Sequence, residues 1–384
     1  MSALTILHLI TDLDTGGAEA MLAKLVTSMD RNRFRSVVVS MMPPGPLAEP
    51  IRAAGIPLFS LGMRRGLPDL GALVRLAMIV RRERPDVLQT WLYHADLLGA
   101  LVRLARPWAK RPALVWNLRC SDMDMSRYSR LSALVIRALA RLSTLPAAVV
   151  VNSETGRAVH QRLGYQPRRW QVIGNGFDLN RFQPDPSARI ALRAELGLSP
   201  ETLLIGLPAR LDPMKDHGTF LTAAAHLTAN RPDPTPLRFV LIGRGLTPDN
   251  PLITARIAAV GLSERVALLG ERRDMPAVLA GLDLVTLTSA FGEGFANVLG
   301  EAMACAVPCV ATDVGDARTI LGECGRIVPP SDATALAGAW KSVLTLGPEQ
   351  RQALGARSRV RIAELYALPL ITEQYQALYQ ELVE

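Results

Sequence analysis

Two carboxylates eight positions apart, Glu293 and Glu301, lie in the stretch 289–316, SAFGEGFANVLGEAMACAVPCVATDVGD. An apolar run before it (282–287) reads as a buried strand. A helix begins near Ala296, and a second apolar run follows at 308–311. Glu293 therefore falls in a loop at the carboxyl end of a strand, where open α/β sheets bind ligands. Gly292 and Gly294 would let that loop turn sharply and come close to a ligand. The backbone N–H groups of Ala296, Asn297 and Val298 open the helix, and amides without intrahelical partners suit a phosphate. A second set of charges stands earlier, in PARLDPMKDHG. Arg210 ends an apolar run and Lys215 follows five positions on, just before another helix start. Arginine can grip a diphosphate through two donors, lysine acts as a point charge, and the helix dipole adds to both. Only Lys24, Lys110, Lys215 and Lys341 are lysines among 43 basic residues, so a lysine kept at such a place is informative. Two glutamates at this spacing, taken alone, more often mark a solvated helix face.

The words around the two acids extend the signal. EGFANVLGEAMACAVPCVATDVGD resembles the E-x7-E motif of family GT4, the retaining glycosyltransferases with the GT-B fold, and Glu293 and Glu301 match its glutamates. Arg210 and Lys215 match the cations of the family's G-R-L-x-x-x-K-G block, with Asp216 where glycine is frequent. Gly16-Gly17-Ala18-Glu19 is similar to a glycine loop that lies under the donor's phosphates, and 174–188 is similar to the interdomain linker. The resemblance implies an α/β fold of two Rossmann-like βαβ domains facing each other across a cleft, with a C-terminal helix returning to the first domain. It implies an acceptor-side domain at 1–178, a nucleotide-sugar domain at 179–365 and the returning helix at 366–384.

The same resemblance implies roles. Glu293, His94, Arg210 and Lys215 would be catalytic. Gly16, Gly17, Arg119, Gly243, Glu271, Arg272, Phe295, Ala296, Asn297, Val298 and Glu301 would bind the donor beside Arg210 and Lys215. Glu301 would accept hydrogen bonds from the ribose, and Glu271 and Arg272 would lie near the base. Gly243-Arg244-Gly245 departs from the family's usual acid at its centre, which puts that contact in doubt. No metal or other cofactor is implied. The expected reaction moves a sugar from a nucleotide-sugar, UDP before GDP, to an acceptor hydroxyl with retention. The expected acceptor is lipid-linked or a polysaccharide; a small soluble acceptor, or a non-catalytic nucleotide-binding relative, is the alternative. A phosphorylase or epimerase does not fit this motif context, and a dehydrogenase would need the full G-x-G-x-x-G fingerprint.

Composition bounds these readings. The 384 residues suit two domains. Residues 1–180 carry 24 basic and 13 acidic side chains, the rest 19 and 22. This suggests that the first half meets something anionic, a phospholipid surface or a pyrophosphate-linked acceptor, the alternative being charge that serves solubility alone; nucleic acid is not expected, because no interleaved aromatics accompany the charge. No apolar run reaches the roughly 18 residues of a membrane span; 131–151 comes nearest, but Arg137, Arg141 and Pro146 interrupt it. The opening MSALTILHLI reads as a first strand, not a signal peptide. Cys120, Cys305, Cys309 and Cys324 form no C-x-x-C pair, which fits a reducing cytosol, with peripheral contact at the inner membrane face.

The elements that must position these residues alternate strand and helix on both sides of the linker. In the first half, 5–10, 36–41, 87–90, 113–117 and 147–151 read as strands, with helices from about 18 and over 70–82 and 95–104. In the second half, 203–207, 239–242, 266–269 and 326–328 read as strands, with helices from about 333 onward. His94 follows a strand, and a lone histidine there is often only a capping residue. Asp12-Leu13-Asp14 and Asp122-Met123-Asp124 spell D-x-D but read as loop acids, not metal ligands. Two helices are basic and amphipathic: 72–84 reads as an ordinary surface helix, and 127–142 stays open as a membrane-lying one.

Overall fold

The computed structural model describes residues 3–64, 69–105, 111–119, 130–229 and 235–384; Cys120 and the Asp122–Asp124 triplet lie outside them. The chain divides into two compact units, Met1–Gly176 with Leu368–Glu384, and Phe177–Ala367.

The first unit holds β1 (Leu4–Ile10), α1 (Gly17–Ser28), β2 (Phe34–Ser40), α2 (Ala48–Ala53), β3 (Leu58–Ser60), α3 (Leu70–Glu83), β4 (Val87–Trp91), α4 (Tyr93–Leu104), β5 (Ala113–Leu118), α5 (Arg130–Leu142), β6 (Ala148–Val151), α6 (Glu154–Arg162) and β7 (Trp170–Val172). The seven strands pair in parallel in the order β3-β2-β1-β4-β5-β6-β7. Both faces of the central strands are buried, so they read as near-continuous apolar runs. The order reverses between β1 and β4, where Ile10 lies opposite Trp91. That switch point is where a parallel sheet opens a crevice at its carboxyl edge.

The second unit holds α7 (Pro186–Glu195), β8 (Leu203–Pro208), α8 (His217–Ala229), β9 (Leu237–Ile242), α9 (Pro251–Ala259), β10 (Val266–Leu268), α10 (Met275–Ala280), β11 (Leu284–Leu287), α11 (Asn297–Ala304), β12 (Cys309–Thr312), α12 (Ala317–Leu321), β13 (Gly325–Val328), α13 (Ala333–Leu344) and α14 (Pro348–Tyr366). Its six parallel strands run β10-β9-β8-β11-β12-β13, and the reversal falls between β8 and β11. Alternate residues of each strand feed two cores. Leu204, Val285 and Ala311 face one side, and Ile205, Leu284 and Val310 face the other. In the second of these cores Trp340 packs edge-on to Phe220 and donates to the Thr286 hydroxyl at 2.9 Å.

The last helix, α15 (Leu368–Glu381), belongs to the first unit and packs on α1. Its buried Tyr375 hydroxyl accepts from Asn117 at 3.1 Å and from Arg119 at 2.5 Å, and Tyr379 donates to Gln89. The sequence placed α4 two residues too late and did not show α2 or β3, which are too short for a period to register. It also read 174–188 as linker throughout. Asp185 instead caps α7 by accepting from Ser187 and Ala188, with Pro186 in the first turn.

Candidate functional site

In the second unit the loops after β8 and β11 leave adjacent strands at the switch point and are hydrogen-bonded to each other. Ala290 N–H donates to Met214 O at 2.9 Å, and the Thr288 hydroxyl donates to Lys215 O at 2.6 Å. Across this join the Lys215 ammonium donates to Glu293 Oε1. The same oxygen accepts from the buried Ser289 hydroxyl at 2.5 Å, and Thr312 Oγ1 holds Ser289 by its carbonyl at 2.7 Å. A lysine and a glutamate 78 positions apart thus form one low-exposure pair, with side chains 15% and 9% accessible.

The backbone of the Glu293 loop is fixed by a second turn. Gly315 has φ +61°, and a Cβ there would lie 2.4 Å from Glu293 O. Asp316 N–H donates to Gly294 O at 3.0 Å. Gly292 takes φ +83°, the conformation a turn glycine supplies, whereas Gly294 stays outside the left-handed region. α11 starts at Asn297 with Ala296 as its cap residue and no side-chain oxygen capping it. Phe295 turns its ring into the core against Phe177 and Tyr366, and Ala296 is buried, so both offer a ligand backbone and not side chain. Gly300 lies flush on the Phe177 ring.

Arg210 lies two residues beyond β8 and is about half exposed, its guanidinium held by Asp212 at 2.9 and 3.0 Å. Asp212 also caps the short turn Pro213–Lys215 through Met214 N–H. Asp216, where the family pattern has glycine, adopts φ +44° and caps α8 by accepting from Thr219 N and Oγ1. Aspartate tolerates this backbone, and its side chain supplies a cap glycine would lack. His217, buried next in the chain, has its pKa lowered by burial to about 4 and so stays neutral beside Lys215.

Arg210, Gly243, Glu271, Arg272, Asn297, Val298 and Glu301 line one cavity of about 300 Å³. Gly243 is held at φ +145°, with room for no Cβ because Ala209 O would lie 2.4 Å away. Arg244 reaches to within 3.9 Å of Glu271 at the cavity's exposed rim. Arg272 is committed elsewhere: it binds Asp274 and Glu195, and these raise its pKa further. A larger cavity of about 720 Å³, walled by α7 and α14, contains none of the candidate residues.

The first unit brings Gly16, Gly17 and His94 to its own switch point. Gly16 is the cap residue of α1 in extended conformation, and Glu19 folds back so that a Cβ on Gly16 would meet its carboxylate at 2.1 Å. The helix start that could take a phosphate is thus covered by the chain's own carboxylate. Burial raises the Glu19 pKa, with Asp12 and Asp14 adding to it. Asp12 and Asp14 accept the amides of Asp14 and Thr15 within the loop. Among the described residues no three histidine, cysteine or acidic side chains gather around a common point.

His94 lies exposed in the first turn of α4, its partly screened ring lowered in pKa by burial. The residue before that helix, Leu92, has φ +73° and ψ +157°, a region that belongs essentially to glycine. Two anchors hold it there. Leu92 N–H donates to Asn117 O at 3.2 Å, and Asp96 N–H donates to Leu92 O at 3.0 Å. The buried Asp96 carboxyl accepts from Thr90 and from the Asn117 amide, and burial raises its pKa well above the usual range. Arg119, expected at the donor, stacks 5.0 Å from the Trp91 ring and donates to Asn175 and Tyr375. Its donors are turned to its own unit. Sequence reasoning missed Ser289, Thr312, Asp96 and Tyr375, because a buried hydroxyl or carboxyl is written no differently from an exposed one.

Comparison with known proteins agrees with this geometry. Residues 15–181 match the family described as Glycosyltransferase Family 4, and residues 202–345 match Glycosyl transferases group 1. The D-inositol 3-phosphate glycosyltransferase of Rhodococcus erythropolis is 32% identical over 206 residues, covering 51% of this chain and 45% of that protein. The chain thus spans about half the length of this curated relative. The putative glycosyltransferase EpsF of Bacillus subtilis is 27% identical over 319 residues, 80% of this chain and 79% of EpsF. The UDP-Gal:alpha-D-GlcNAc-diphosphoundecaprenol alpha-1,3-galactosyltransferase of Escherichia coli is 26% identical over 255 residues, 65% and 63% of the two chains. Among solved structures, Anabaena HepE in complex with UDP superposes with a TM-score of 0.83 at 23% identity, over 98% of this chain and 100% of HepE. The fold is GT-B-like. With residues 15–181 matched by the Glycosyltransferase Family 4 model and residues 202–345 by the Glycosyl transferases group 1 model, the chain is a family 4-like glycosyltransferase.

Proposed function

We propose that the chain transfers a sugar, with retention, from a UDP-sugar to a hydroxyl of a lipid-linked or polysaccharide acceptor in cell-surface glycan synthesis. The Lys215–Glu293 contact beside the start of α11 carries this reading. Breaking a glycosyl–phosphate bond leaves negative charge on the diphosphate. Lys215, Arg210 and the first amides of α11 stand ready for it, and preorganised charge of this kind is the main source of rate in such a step. Both cations now carry carboxylate partners, Glu293 and Asp212, so an arriving diphosphate competes with them. A released Glu293 would hold the sugar whose anomeric carbon becomes cation-like, and Glu301, one turn into α11, would take the ribose hydroxyls. His94 would contact the transferred sugar.

The donor base is supported by HepE, described in complexes with UDP and with UDP-glucose. The acceptor class is supported by the galactosyltransferase whose name specifies a diphosphoundecaprenol-linked sugar, and by the basic first half of this chain. That acceptor would be met at the inner face of the cytoplasmic membrane. Titration calorimetry with UDP and GDP, on wild type and Lys215→Ala, tests the donor half. UDP should bind wild type, and the variant should bind it at least about a hundredfold more weakly, as loss of a charge-assisted contact implies. A well-folded wild type that binds neither nucleotide would overturn the donor site.

A further inference from the structure

We propose that the outward face of α3 docks on an anionic lipid bilayer. The helix was expected to be an ordinary surface helix, polar outside and apolar inside. The inner side is as expected: Ala72, Leu76 and Val80 are buried in the first unit's core. The outer side is not. Leu70 is 86% exposed, and Val74 and Met78 are each 59% exposed. At spacings of four these three form one line along the helix, where a helix at a water surface carries polar residues. Arg82 continues the line and Arg81 stands beside it, both exposed. α4, packed against α3, also exposes Leu101 and Leu104, by 42% and 49%.

Charge selects the occupant. The acids at the two ends of α3 are already engaged, Asp69 by Arg75 and Glu83 by Arg35 and Arg82. Arg81 and Arg84 then add positive charge that no further acid of the helix offsets, in a half-chain with 24 basic and 13 acidic residues. An apolar line edged by arginines matches the acyl–headgroup boundary of an anionic leaflet. A second copy of the chain fits less well. It would set these arginines against each other, and a line of three side chains falls far short of the roughly 800 Å² per partner of a stable interface. The surface shares no residue with the donor cavity, and the proposal rests on the reading above only in giving the acceptor a membrane to arrive on.

The test is co-flotation of the full chain with vesicles of phosphatidylglycerol and phosphatidylcholine in equal parts, and with phosphatidylcholine alone, at low and high salt. Wild type should float with the anionic vesicles and be released by salt. The Leu70→Gln/Val74→Gln/Met78→Gln variant should lose about tenfold or more of its partitioning. Arg81→Ser/Arg82→Ser should lose about fivefold per arginine, with a weaker salt response. UDP titration of the same variants should match wild type, which also shows them folded. Wild type staying unbound, equal binding by the Gln variant, or light scattering that shows a dimer abolished by the Gln variant without vesicle binding would each overturn the proposal. Vesicle binding without UDP binding would leave it standing and sink the donor reading instead.

Discussion

The two switch points are built from opposite materials. At the second unit's, charge is set against charge: Lys215 on Glu293 and Arg210 on Asp212. At the first unit's, the buried groups are neutral or pushed toward neutrality. Burial lowers His8 to about 3 and His160 to about 4, and raises Asp96 well above the carboxylate range. There the tension sits in the backbone instead, in Leu92. Ion pairs whose partners a ligand can exchange suit a polyanion that comes and goes. A strained loop locked by buried hydrogen bonds suits the fixed presentation of one side chain, here His94.

The contrast is sharpest at two glycines, and it predicts the largest effect. At Gly315 an added Cβ meets the backbone of Glu293 and Gly294, which cannot swing aside, and φ +61° strains any other residue. Gly315→Ala should therefore shift the Glu293 loop. We expect thermal stability to fall by about 1–3 kcal/mol, and sugar-transfer kcat/KM by about tenfold or more, since misplaced catalytic geometry costs heavily. Unchanged kinetics in a folded variant would separate Glu293 from the reaction.

Next in size is Tyr375→Phe. It removes the hydroxyl that ties α15 to Asn117 and Arg119 and leaves a buried guanidinium short of a partner. A hydrogen bond to a charged group is worth about 1.5–3 kcal/mol. Hydrogen exchange in α15 and β5 should speed up correspondingly, while β8 and β11 keep their protection. If all four respond together, the two units do not open independently.

These two cases also show what a sequence discloses. The second switch point was legible because Arg210, Lys215, Glu293 and Glu301 fall into short words within single βα units, the residue types that a diphosphate and a ribose would demand. The first was not. Tyr375 meets Arg119 across 256 positions, and neither residue's neighbours announce it. Leu92 violates a local rule for a tertiary reason: Asn117 and Asp96 outweigh its backbone preference. The Gly16-Gly17 loop resembles one that lies under a donor's phosphates, but Glu19 covering it was not legible. Strand order was readable only as βα alternation, and the outward face of α3 was not readable because its period is the same whether its apolar sides meet core or water.

A smaller effect separates the units by pH. Asp96 has a folded pKa raised above its unfolded value, so the folded chain holds a proton that the unfolded chain releases. Its contribution is unfavourable above the unfolded pKa of about 3.9, growing until the folded pKa is passed. Asp96→Asn keeps an acceptor for Thr90 and the Asn117 amide but has no charge to desolvate. The variant should be more stable than wild type at pH 7, by about 1 kcal/mol or more, and the gain should shrink toward pH 4. The histidines act in the opposite sense: His8 and His217 have lowered folded pKa values, so their share of stability is intact above about pH 6.5 and drains away as pH falls toward 4. A pH-independent gain for Asp96→Asn would mean that this carboxyl titrates normally.

The smallest effect belongs to the other glycine. At Gly16 the atoms an added Cβ would meet are the far end of the Glu19 side chain, and φ −152° is open to any residue. Glu19 can swing out, at the cost of its contact with the start of α1, so Gly16→Ala should cost about 1 kcal/mol or less. Because Glu19 already covers that helix start, the diphosphate should be held by the second unit, and the dissociation constant for UDP should stay within about threefold of wild type. A loss of UDP affinity as large as that of Lys215→Ala would break the comparison. It would mean that the covering carboxylate moves away when the donor arrives, and that the glycine loop takes phosphate after all.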